Sequence, residues 1–201
     1  ELRPVVTEFE TCPAGQGMGA VMRSGYGLSD DIIRESARVI GGNRFVVYAT
    51  HQWAEYVFDQ AVWCARLAAL GIDARVVFDS NLSGIARYAT STWQKPGSAP
   101  SGMTWDTDVL GRLKRHGLYR FVSGLEGLPE KGRDLTVFRF GYFDNFSCPD
   151  LDMMKAWQDT GARFLNPLQF YLESKVLMAA IRLPSVREEI ERRMPGAVAV
   201  L

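Results

Sequence analysis

The chain has 201 residues, 47% of them hydrophobic and 23% charged, enough apolar material for one good-sized domain with a real core. Lys+Arg and Asp+Glu are both 23, which argues against a nucleic-acid or membrane-surface binder driven by bulk charge, and no apolar run reaches the length of a transmembrane helix. Cys12, Cys64 and Cys148 are scattered and lack CxxC spacing, so they read as reduced thiols in a cytoplasmic protein. The opening residues ELRPVVTEF lack the basic and apolar regions of a signal peptide. With only His51 and His116, a zinc site or a histidine triad has little material.

In chain order, Val5–Glu10 reads as a strand. Alternate residues of a strand share a face, so Glu8 and Glu10 point the same way. Paired carboxylates suit a hard cation such as Mg²⁺, although the wet face of an edge strand can also carry two acids. Gly15, Gly17 and Gly19 follow in what reads as a loop, whose backbone N–H groups would suit an anion. The GxGxG spacing does not match the dinucleotide fingerprint, which weighs against a Rossmann-type oxidoreductase.

Asp30–Ile40 reads as a helix, with Ser29 as its N-cap and Gly41 as its stop. Phe45–Thr50 (FVVYAT) is a buried parallel strand by pattern. Ala54–Leu70 is an amphipathic helix ending at Gly71, and Ala74–Asp79 is the next strand. Together they form a βαβ crossover. Thr90–Thr104 is a Ser/Thr/Gly/Pro-rich surface loop. Helix over Asp106–His116, strands over Leu118–Val122 and Leu135–Phe140, helix over Asp150–Thr160 and a short strand over Ala162–Leu165 come next. A helix from Pro167 to about Arg182, another over Ser185–Arg193 and a strand start at Ala197–Leu201 complete the pattern. The predicted fold is a single α/β domain over 1–201, a mostly parallel sheet flanked by helices.

Ligands of open α/β sheets bind beyond the carboxyl ends of the strands. Arg139, Phe140, Gly141 and Tyr142 lie at such an end and offer a guanidinium fork, open backbone and a hydroxyl. Gln60, early on the helix after FVVYAT, could bond an amide or carboxylate, while its neighbour Asp59 reads as an acid complementing a helix start. Lys175 could meet a phosphate or simply be solvated, and His51 reads as a structural or exposed residue.

The order of these pieces resembles the eukaryotic-type glutathione synthetases, a permuted ATP-grasp family, over most of the chain. VVTEFETCPAGQGMG is similar to the family's acidic strand and small-residue loop. FDQ at Phe58–Gln60, VFRFGYF at Val137–Phe143, and Trp157 followed by NPLQFYLESKV are similar to later family motifs. The resemblance implies a Rossmann-like substrate domain and ATP-dependent ligation of a carboxylate to an amine through an acyl phosphate. It implies Glu8 and Glu10 on Mg²⁺, and Glu8 and Lys175 on ATP. It further implies Cys12, Pro13, Ala14, Gly15, Gln60 and Arg139 through Tyr142 on an amino-acid or peptide-like substrate, with Arg139 catalytic. Glu10 stands where the family has Asn, and CPAGQGMG replaces a serine-rich loop, which weighs against γ-glutamylcysteine as the substrate. The bulk of the ATP-grasp part has no counterpart here, so the expectation is the substrate-binding portion of a longer ligase, associated with that part or forming a homodimer. The alternative expectation is a non-catalytic α/β module that binds a small molecule.

Overall fold

The structure, a computed structural model, describes residues 13–42, 44–82, 109–169, 179–196 and 198. Glu8, Glu10, Cys12, Lys175, the Val5–Glu10 strand, the Thr90–Thr104 loop and nearly all of Ala197–Leu201 therefore lie outside the described residues. The chain divides into two compact units, Cys12–Asn166 and the remainder.

The larger unit is built on a five-stranded, wholly parallel sheet in the order β3-β2-β1-β4-β5. Its strands are β1 (Arg44–Ala49), β2 (Asp73–Phe78), β3 (Val122–Ser123), β4 (Leu135–Phe140) and β5 (Arg163–Phe164). Its helices are α1 (Gln16–Gly25), α2 (Asp31–Ile40), α3 (Val57–Ala68), α4 (Val109–Arg115) and α5 (Cys148–Asp159). The second unit contributes α6 (Pro184–Arg193). The expectation of an α/β fold with a mostly parallel sheet flanked by helices holds.

Period-2 burial sorts β1 between two layers. Phe45, Val47 and Ala49 join one apolar cluster with residues of α1 to α4. Tyr48 points to the other face, stacked on Phe146 and edge-on to Trp157 of α5. Strands added from β1 towards β3 thus carry helices on one face, and the step from β4 to β5 carries α5 on the other. That division is what a single crossover hand requires when strand order runs both ways from the centre. The order reverses between β1 and β4, which pair in register from Arg44↔Leu135 to Ala49↔Phe140.

Several element boundaries moved. The glycines at 15–19 do not form an extended loop: α1 begins at Gln16. Ser29 is not the cap of α2; Asp30 holds that position, and the Ser29 hydroxyl donates to Asp31 at 2.7 Å. Gly41 does end α2, at φ +61°. The helix expected from Ala54 begins only at Val57, after a 3₁₀ turn over His51–Tyr56 set by the Thr50 hydroxyl accepting the Gln52 N–H. Leu118–Val122 is a 3₁₀ turn followed by the short β3, because Leu118 N–H is drawn back to the Leu113 carbonyl at the end of α4. No helix starts at Pro167. The Asn166 side chain, bonded to both backbone groups of Arg139, holds the preceding chain beside β4.

Candidate functional site

The start of α1 was the expected anion cradle, and the protein fills it itself. Asp59 of α3 accepts the Gly15 N–H at 3.0 Å and the Met18 N–H at 2.7 Å. A helix start offers unpaired N–H groups and a positive dipole end. A carboxylate tethered on the neighbouring helix satisfies both without the entropy of capturing a free anion. The glycines serve this packing. Gly15 sits at φ +99°, and a Cβ at Gly17 would lie 2.0 Å from the Asp59 carbonyl oxygen. Pro13 and Ala14 are exposed just ahead of the helix.

Gln60 is 1% exposed, and among the described residues neither its Oε1 nor its Nε2 has a hydrogen-bond partner. It lies inside the helical layer, not at an open rim. On the same face of α3, Trp63 packs edge-on against Phe45 and Phe138.

The FRFGY run ends β4 as expected, with its groups turned differently. Arg139 is fully buried, its guanidinium stacked 4.1 Å over the Phe143 ring and donating to the Gly141 carbonyl. Phe140 is buried against Trp53. Gly141 has φ +143°, and a Cβ there would meet Thr50 Cγ2 at 2.7 Å. Tyr142 reaches the surface, 37% exposed and edge-on to Trp53. Across the strand-order reversal, the side-chain amides of Gln52 and Asn145 pair at 3.3 Å, and the Gln52 amide nitrogen and the Thr50 hydroxyl both donate to the Asn145 carbonyl. The structure thus brings Arg139, Phe140, Gly141 and Tyr142 together and sets Gly15 and Gln60 in the helix layer.

One cluster escaped the sequence reading. Asp79, just past β2, accepts the His51 backbone N–H at 2.7 Å, with His51 Nδ1 2.9 Å from the same oxygen. Burial raises the Asp79 carboxyl above its ordinary range; the His51 contacts pull against this and nearby Asp150 adds to it. Asp150 in turn accepts the Tyr48 hydroxyl at 2.7 Å, and burial together with that bond raises the phenol. The available signal was register: β1 and β2 align Ala49 with Phe78, so TH and DS emerge side by side.

An open depression of about 620 Å³ lies at the opposite, amino edge, lined by Gly41, Arg44, Asp134, Thr136 and Arg163. Arg163 and Thr136 there donate to carbonyls ending α2. Among the described residues no group of three or more His, Cys, Asp or Glu could hold a metal ion, and no helix is long and apolar enough to cross a membrane. No protein-family model matches the chain, and comparison with curated proteins and with solved structures returns no match.

Proposed function

We propose that the chain binds a small amino-acid or peptide-like molecule at the carboxyl edge of its sheet, as the substrate-binding portion of an ATP-dependent carboxylate–amine ligase. The observation that carries the binding reading is the reversal of strand order between β1 and β4, where Thr50–Gln52 and Gly141–Tyr142 meet. Crevices at such reversals are where open parallel sheets take their ligands. Tyr142 offers a hydroxyl there, and the Arg139 guanidinium lies behind it, donating to the Gly141 carbonyl. The ligase half rests on the resemblance to glutathione synthetases. Under it Glu8 and Glu10 hold Mg²⁺, Lys175 meets ATP, and turnover requires an ATP-grasp portion or a second copy. A cytoplasmic setting belongs to the same reading and suits the free thiols of Cys64 and Cys148.

The Asp59 carboxylate at the start of α1 favours a second reading, a non-catalytic small-molecule module, because an internal anion already occupies the expected phosphate cradle. Isothermal titration separates the two. Mg²⁺–ATP binding in the micromolar range, abolished by Glu8→Ala and by Lys175→Ala, supports the ligase. Amino-acid or dipeptide binding that ignores Mg²⁺ and ATP but weakens in Tyr142→Ala supports the module. Neither ATP nor any peptide binding refutes both.

A further inference from the structure

A surface helix ordinarily buries its apolar stripe and shows its charges to water. α2 does so: Ile33 and Ile40 are buried, while Asp31, Arg34, Glu35 and Arg38 stand outside. α1 is inverted. It packs on α3 through the small residues Gly17 and Ala20, both buried, with the Asp59 carbonyl closing on Gly17. Residues three and four apart share a helix face, and the outer face of α1 presents Met18, Val21 and Met22, continued by Tyr26 at the helix end. Leu28 follows, its N–H bonded back to the Arg23 carbonyl at 2.9 Å. These five side chains are between 41% and 79% exposed. From Gln16 to Leu28 the only charged residue is Arg23. Its guanidinium is turned to the Ser29 carbonyl at 2.9 Å and the Asp31 carboxylate at 2.7 Å, so the outer face carries no charge.

We propose that a second copy of the chain docks on this face, forming a twofold dimer across α1. In a twofold contact each patch meets itself, so a charged face would set like charges opposite one another. This face has none to oppose. The chain as a whole has equal numbers of acidic and basic residues, so no long-range repulsion holds two copies apart. Five large apolar side chains, about half exposed, present on the order of 500 Å², the scale at which a contiguous patch marks an interaction site. Two such faces together bury about 1,000 Å², the lower bound of a specific interface. The dimer is therefore weak and reversible. It needs neither ligand nor nucleotide, and it stands apart from both the ligase and the module readings.

The test is sedimentation velocity of the full chain, without ligand, over a concentration series from micromolar to millimolar. The expected result is a reversible monomer–dimer equilibrium. Met22→Glu sets two carboxylates against each other across the axis and is expected to shift that equilibrium about tenfold or more towards monomer. Tyr26→Asp is expected to act in the same direction. Gln158→Glu adds the same charge at an exposed position of α5 and is expected to leave the dimer intact. Met22 and Tyr26 are exposed, so both variants are expected to keep the circular dichroism of the parent, which separates loss of the contact from loss of the fold. A chain that stays monomeric throughout the series overturns the proposal and leaves the face to a different partner. A dimer that neither Met22→Glu nor Tyr26→Asp weakens also overturns it, by placing the contact elsewhere on the surface.

Discussion

Two aspartates next to backbone N–H groups have opposite uses in this molecule. Asp59 spends both oxygens on the start of α1 and is 7% exposed. Asp79 uses one oxygen on a backbone N–H and on an imidazole that reaches solvent. The first closes a place where a ligand anion could have sat; the second holds an imidazole, 39% exposed, at the carboxyl edge. A carboxylate beside N–H donors thus serves the backbone alone or a side chain as well, according to what else shares its oxygens.

Close packing under Asp59 gives the sharpest way to break that comparison. Gly17→Val forces side-chain atoms into the Asp59 backbone and is expected to cost about 3 kcal/mol, the upper end for overpacking, read as a lowered urea midpoint. A chain that tolerates it would show that α1 does not lie against α3 as described. Asp59→Ala removes the cap and both charge-assisted bonds, with an expected loss of about 2 kcal/mol. Unchanged stability would mean that the Gly15 and Met18 N–H groups have another acceptor, and the cradle would be open after all.

Gln60→Leu replaces a buried amide, without a hydrogen-bond partner among the described residues, by an apolar side chain of similar size. The expected change is within about 1 kcal/mol and towards greater stability. If ligand binding in the titration disappears with it, the amide belongs to the seat and not to the helix layer.

Asp79 gives the smallest effect, a slope. Its folded carboxyl titrates above the ordinary value of 3.8, so between those two values the folded state holds a proton that the unfolded chain has lost. Stability therefore falls as pH rises through that window. Glu55, raised by burial, contributes in the same direction. Asp79→Asn is expected to flatten the fall without abolishing it, as measured by urea midpoints over a pH series. An unaltered slope would place the Asp79 titration at its unfolded value.

The strands were readable from the sequence because apolar runs such as FVVYAT and LTVFRF need no knowledge of their neighbours to be buried. Leu135–Phe140 came out with the bounds its pattern predicted. The GxGxG run misled because glycine disfavours helix in isolation, whereas here its lack of a side chain is what lets α1 touch the backbone of α3. Within the candidate site, the FRFGY residues were legible as a strand end. That Arg139 turns inward onto Phe143 was not, since a stacking partner four residues on depends on the turn at Gly141.

Composition and periodicity by themselves determined a parallel α/β layer structure with β4 ending in a polar turn, because burial of alternating and continuous apolar segments is a local property of the chain. Only the tertiary structure decided which acid meets which N–H. Asp59 and Gly15 are 44 residues apart, and Asp79 and His51 are 28 apart. Such pairs exist because strand register and helix packing bring distant carboxylates to groups that would otherwise be buried without a partner.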